Sequence, residues 1–247
     1  MTTTKLDVGD LRGVAETLMI PLAYRDDALS RRFRDAIDYD WHKFPNTGLA
    51  HASIMARTQI LDQLVGAFAA EHPAGLVVNM GAGLDTRFHR LDNGAIRWLE
   101  VDLPEVIAFR AKLGEPAEPR HALFAGSILE TTWLDEARQR SSPAILFVAE
   151  GLLPYFSEAE HRQIFATLAE GFPGEEIAFH TIAPSILAQL GDKSALTKMR
   201  TSSEMRWGLE EARDIEQLDP RVRFVREYPL MPAPLDKAAK IVHARFV

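Results

Sequence analysis

Residues 76–102 constrain this chain more than any other stretch. A short apolar run, Leu76–Met80, stops at Gly81-Ala82-Gly83. A second apolar run, residues 96–101, ends at Asp102, so an acid follows the first glycine by 21 residues. Buried strands of a parallel sheet make this pattern: one strand delivers the chain to a turn, and small residues there let the backbone approach a ligand. The next strand then carries a carboxylate to ribose hydroxyls. The stretch predicts an α/β domain with a nucleoside pocket. Its spacing alone does not separate a dinucleotide from another adenosine ligand. The dinucleotide fingerprint asks for a third glycine where this chain has Thr86, which leans the reading away from NAD.

The bulk properties exclude several classes. A chain of 247 residues fits one large α/β domain with elaboration. No apolar run approaches the ~20 residues that span a bilayer, and the first ten residues hold no apolar signal core. The chain has no cysteine, which removes disulfides and thiolate chemistry and fits a cytoplasmic protein. The net charge of −7 and the lack of a long Lys/Arg run argue against nucleic acid as the main ligand. The histidines are scattered, without an H-E-x-x-H or H-x-x-E-H pair, so no metal site is expected.

Along the chain, residues 10–40 read as broken helices, with Pro21 ending or kinking the first. Residues 39–45 mix aromatic and polar side chains, a composition suited to capping a pocket. Residues 48–71 form the clearest long helix, and Arg57 within it is placed to grip a ligand carboxylate if the helix faces the glycine turn. Asp85 is placed to cap the next helix or to orient Arg57 or a ligand ammonium. Pro104 opens a helix. Residues 121–125 read as a third strand, and in a nucleoside pocket Ser127 just after it would face the base. Residues 144–149 are the best central strand, and Glu150 ends it in the crevice where such sheets bind ligands. Ser157 and Glu160 form a capping box. Residues 177–182 read as a strand that brings His180 towards its end. Residues 191–206 read as a lid or surface loop, 207–218 as a helix, and 222–225 and 241–246 as the last strands.

These pieces resemble the leucine carboxyl methyltransferase family, in particular its bacterial small-molecule O-methyltransferases of the tetracenomycin type. The resemblance rests on VVNMGAGLDTRFHRL, LEVDLPEVI, SILETTWLDEA and VAEGLLPYFSEAE, and runs from about residue 48 to 172. It implies a class I methyltransferase fold: an α/β, Rossmann-like, seven-stranded, mostly parallel sheet with helices on both faces and one antiparallel strand near its end. Residues 1–47 would be an amino-terminal helical extension that caps the acceptor, and 48–247 the methyltransferase domain. The implied cofactor is S-adenosyl-L-methionine. Arg57 would bind its methionine carboxylate, and Gly81, Ala82, Gly83 and Asp85 would form the turn against the methionine part. Asp102 and Leu103 would lie at the ribose, and Ser127 and Ile128 at the adenine. Glu150 would neighbour the ammonium or sulfonium end, and Tyr155 would face methyl transfer. Many members carry an acid in the adenine loop where this chain has Ser127.

A carboxylate acceptor is ionised at neutral pH and needs no base, whereas a phenol profits from one. His180, His89 and His42 are the imidazoles to consider, and His180 is the one placed with Tyr155 among candidate catalytic residues. Trp41, Phe44, Tyr155, Met205 and Trp207 suggest an apolar, aromatic small-molecule acceptor. Two other readings remain: a nicotinamide-dependent oxidoreductase, disfavoured by Thr86 and the lack of a Tyr-x-x-x-Lys pair, and a non-catalytic S-adenosylmethionine-binding module. The sequence leaves the oligomeric state open.

Overall fold

The computed structural model describes residues 5–247 except 10, 12, 45–46, 141–143 and 191–203. At the amino end, β1 (Leu6–Asp7) and β2 (Ile37–Asp38) pair in parallel. Between them run a 3₁₀ turn (Gly13–Leu18), α1 (Met19–Tyr24) and α2 (Ala28–Ala36). The main sheet holds β3 (Leu76–Met80), β4 (Arg97–Asp102), β5 (His121–Ala125), β6 (Ile145–Ala149), β7 (Glu176–Ile182), β8 (Val222–Pro229) and β9 (Ala239–Phe246). Its order is β5-β4-β3-β6-β7-β9-β8, with β9 antiparallel to both neighbours and every other pair parallel. This is the seven-stranded, mostly parallel arrangement that the sequence predicts.

The two central strands are apolar at nearly every position because both faces are covered. Alternate residues of β3 and β6 go to opposite cores. Val78, Ile145 and Phe147 pack with Phe165 and Leu168 of α7 (Glu158–Gly171) and Trp133 of α6 (Thr132–Gln139). Val77, Leu146 and Val148 pack with Leu61 and Val65 of α3 (Gly48–Glu71). Each such side chain contributes about 1.5–3 kcal/mol on burial. Asn79 breaks the apolar run of β3 while staying 1% exposed, so its amide needs a partner inside.

The order of strands fixes the ligand crevice. From β3 the chain winds outward through β4 to β5, then returns to β6 and winds the other way. The reversal lies between β3 and β6, so a crevice opens where their carboxyl ends diverge. Gly81 and Glu150 stand at those two ends.

The amino-terminal segment packs over this edge. Leu11, Met19, Leu22 and Phe33 share one core with Leu84 after the glycine turn and with Val106 and Phe109 of α5 (Pro104–Ala111). Pro21 neither ends nor kinks α1. It sits in the first turn of α1, just after the 3₁₀ segment, and its carbonyl accepts from Arg25. The capping box at Ser157 is present with both bonds. Residues 207–218 are not one helix: only Ala212–Gln217 turns, as 3₁₀. Gly208 lies so close to the Ile182 carbonyl that a Cβ would be 1.8 Å from its oxygen, and the Leu209 N–H donates to Thr181 Oγ1 at 3.1 Å. These contacts hold the chain against the end of β7. Of the expected lid at 191–206, residues 191–203 lie outside the described residues.

Candidate functional site

A cavity of about 530 Å³ opens at the β3/β6 crevice. At one end stands the glycine turn. Gly81 (φ +63°) adopts a conformation that disfavours a side chain, and a Cβ there would meet Leu152 Cδ1 at 2.6 Å. The Gly83 N–H donates to Asp102 Oδ2 at 2.6 Å, and the Leu103 N–H to Asp102 Oδ1 at 2.7 Å. Burial pushes the Asp102 carboxyl up to about 6 against these two bonds. A buried carboxylate that takes only two donors has acceptor capacity left for hydroxyls.

Below the turn lies a buried ion cluster. Glu150 Oε1 accepts from Arg57 Nε at 3.1 Å and Thr58 Oγ1 at 2.8 Å. Its Oε2 accepts from Arg25 at 3.2 Å and from Arg87. Asp85 pairs with Arg25 at 2.7 Å and with Arg87, and it also accepts the Asn79 amide at 3.1 Å and the Arg87 backbone N–H at 2.9 Å. Arg87 and Arg90 continue outward to Asp62. Burial alone would raise both inner carboxyls. The guanidiniums outweigh it and hold Glu150 well below the usual carboxylate range and Asp85 below its own. Arg90 is shared with Asp27 at 3.8 Å, so four guanidiniums face four carboxylates and the cluster is balanced. Arg57 also lines the cavity: its Nε holds Glu150, and its Nη1 lies so near Gly151 that a Cβ there would be 2.9 Å away.

At the other end the wall becomes apolar. Ile182, Ile186, Met205, Met231 and Leu235 line it, together with Tyr155 and His180. Burial raises the Tyr155 hydroxyl, opposed by its hydrogen bond with Thr17 and by Arg57. His180 on β7 is 4% exposed, and its Nδ1 has no hydrogen-bond partner among the described residues. Burial, then the nearby Arg57 charge, push its pKa well below the ordinary value, so the imidazole is neutral at physiological pH.

The structure therefore gathers Arg57, Gly81, Ala82, Gly83, Asp85, Asp102, Glu150, Tyr155 and His180 on one cavity. Asp85 pairs with Arg25 and Arg87 rather than with Arg57. Leu103, Ser127 and Ile128 do not line the cavity. Leu103 packs in the amino-terminal core, Ile128 in the main core, and Ser127 Oγ accepts from the Leu129 N–H at 3.2 Å. Their loop stays next to the site, because the Gly126 N–H donates to the Asp102 carbonyl at 2.8 Å. Trp41 and Phe44 line a separate cavity with Lys5 and Arg34, His42 goes with them, and Trp207 packs on His161, so none of these forms the acceptor wall. His89 pairs with Glu115, away from the cavity.

Sequence reasoning assigned no role to Arg25, Thr58, Asn79 or Arg87. Asn79 carried a local signal, a lone polar residue inside a buried strand. Arg87 carried another, two residues after Asp85 at a helix start. Arg25 carried none, because its partners are 60 or more residues away.

Comparisons with known proteins agree with this geometry. The chain is 29% identical over 236 residues to the tetracenomycin polyketide synthesis O-methyltransferase TcmP of Streptomyces glaucescens, covering 91% of this chain and 86% of that protein. It is 24% identical over 256 residues to the S-adenosyl-L-methionine-dependent methyltransferase dpfgK of Gibberella zeae, covering 91% and 85%. The N-methyltransferase NodS of Bradyrhizobium japonicum, solved with S-adenosyl-L-homocysteine, shares the fold with a TM-score of 0.54 at 13% identity, over 94% of this chain and 97% of that one. Fold and relatives together define an S-adenosylmethionine-dependent methyltransferase with a class I sheet. The leucine carboxyl methyltransferase family model matches residues 16–169, and the chain belongs to that family. Among the described residues, no helix is long and apolar enough to cross a membrane.

Proposed function

We propose that this enzyme methylates an oxygen, a carboxylate or a phenol, on an apolar small molecule of the kind made in secondary metabolism. The observation that supports this reading is the polarity of the cavity, which changes from a buried ion cluster to an apolar wall with a neutral imidazole at the junction. The likeness to an O-methyltransferase of polyketide synthesis points the same way.

The residues present fit S-adenosylmethionine. The Arg57 guanidinium, held by Glu150 through its Nε alone, suits the methionine carboxylate, the glycine turn leaves room for the chain, and Asp102 has free lone pairs for the ribose hydroxyls. Ser127 and the Ile128 amide, in the loop tied to Asp102 through Gly126, would hold the adenine. The bound cofactor supplies a sulfonium methyl to an oxygen nucleophile. Arg25 and Arg87 hold Glu150 and Asp85, and Glu150 in turn fixes Arg57. Tyr155 and His180 orient the acceptor oxygen, and the apolar wall keeps water out. For a phenol, the neutral His180 imidazole takes the proton. For a carboxylate, the imidazole only positions it.

Calorimetry separates the readings. S-adenosylhomocysteine should bind and NAD should not; NAD binding with no S-adenosylhomocysteine binding overturns the assignment. On a panel of aromatic acids and phenols, His180→Gln should lower kcat at least tenfold on a phenol and a few-fold on a carboxylate, with cofactor affinity unchanged. A panel on which the wild type turns over nothing would favour a binding module instead.

A further inference from the structure

On the outer side of the glycine turn, α4 (Arg87–Leu91), β5 and the loop after α5 bring two histidines and a glutamate together. His89 Nε2 lies 2.9 Å from Glu115 Oε1. Ligand atoms of His89, Glu115 and His121 all fall within 4.8 Å of one another. The His121 side chain is 4% exposed and stacks on Phe88 at 4.5 Å between ring centres, yet its Nε2 makes no hydrogen bond among the described residues. Facing it at 3.3 Å is Glu100 Oε1, fully buried and also without a hydrogen bond. One guanidinium serves both carboxylates: Arg110 donates to Glu115 Oε2 at 2.6 Å, to Glu115 Oε1 at 2.7 Å and to Glu100 Oε2.

Two carboxylates against one guanidinium leave a buried negative charge beside two imidazoles. Two imidazole nitrogens and one carboxylate oxygen are a donor set that zinc-type cations favour. Ligand atoms on such an ion lie roughly 3.3 Å apart, so these three need to converge by about 1 Å or less each. The surroundings are those of a supported site: Arg110 orients the carboxylate, and Phe88 holds the His121 ring. Arg110 also donates to the carbonyls of Gly83 at 3.1 Å and Asp85 at 2.8 Å, which ties the cluster to the back of the glycine turn.

We propose that His89, Glu115 and His121 bind one zinc-type divalent cation that clips α4, β5 and the loop after α5 together behind the cofactor turn. The ion would sit outside the catalytic cavity, with a structural role.

The test uses tag-free, chelator-treated full chain. Titration with zinc chloride should show one saturable equivalent and a higher Tm, and cobalt(II) should give the visible absorption of a low-coordinate site. His89→Ala and Glu115→Gln should each weaken zinc binding at least tenfold. If Glu115→Gln does not fold, His89→Ala carries the test, because its side chain is 20% exposed. No saturable zinc binding, or wild-type affinity in folded His89→Ala, would overturn the proposal. So would a Tm unmoved by zinc, which would mean that a proton on an imidazole balances the charge.

Discussion

The two ends of the catalytic cavity are built by different rules. At the cofactor end the carboxylates are already engaged: Glu150 has four donors, Asp85 is shared by two arginines, and Asp102 is held by two backbone amides. At the acceptor end the wall is Ile182, Ile186, Met205, Met231 and Leu235, with a neutral imidazole among them. A ligand that never changes can be met by a rigid lattice of charges, whose geometry is set before binding. An acceptor of one particular shape is met by apolar contour, which flexible side chains such as methionine adjust at small cost.

The largest expected effect lies at the charged end. Glu150→Ala leaves Arg25, Arg57 and Arg87 without their shared partner, and should lower stability by about 3–5 kcal/mol in urea denaturation as well as weakening the cofactor. A loss under about 1 kcal/mol would mean that the lattice is not what holds this end together. The wild type shows the same dependence through acid. Because the Glu150 carboxyl is held well below its ordinary 4.5, its contribution is full above that value and is lost as the pH falls through its lower folded value.

Asp102 has the opposite sign. Burial raises it to about 6, so its protonation favours the folded chain as the pH falls from there towards the ordinary 3.8. Ribose binding needs the ionised form. Affinity for S-adenosylhomocysteine should therefore fall about tenfold by about pH 5, and Asp102→Asn should bind at least tenfold more weakly at neutral pH with that slope removed. A wild-type titration flat from pH 8 to about 5 would break the assignment.

The smallest effect belongs to the apolar end. Leu235 is 38% exposed, so Leu235→Ala should change stability by less than about 1 kcal/mol. It should raise KM for the acceptor by up to roughly tenfold and leave S-adenosylhomocysteine affinity alone. Equal losses for both ligands would erase the contrast between the two ends.

The charged end was also the more legible in sequence. Gly81, Asp102 and Glu150 sit at strand ends, where periodicity gives position and topology gives neighbours. Arg57 lies on a helix whose length and apolar face were plain. The acceptor wall was read wrongly at Trp41, Phe44 and Trp207, because aromatic residues near a pocket motif are as often packing as lining. Met231 and Leu235, which do line the cavity, come from the connection between β8 and β9, where no local pattern marks them. The helix expected over 207–218 fails for a related reason: Gly208 and Leu209 are fixed by contacts with β7, which sequence spacing does not encode.

The strand of the main sheet that comes latest in chain order is an interior one. β9 enters between β7 and β8, so the strand bearing His180 has an unsatisfied edge until β9 docks. A ribosome-bound chain stopped before residue 239 can assemble the cofactor turn yet presents a sticky flank beside the reaction chamber. Folding of this enzyme thus hinges on residues 239–246, and a chain cut before them would yield an aggregating product rather than a slightly shortened catalyst.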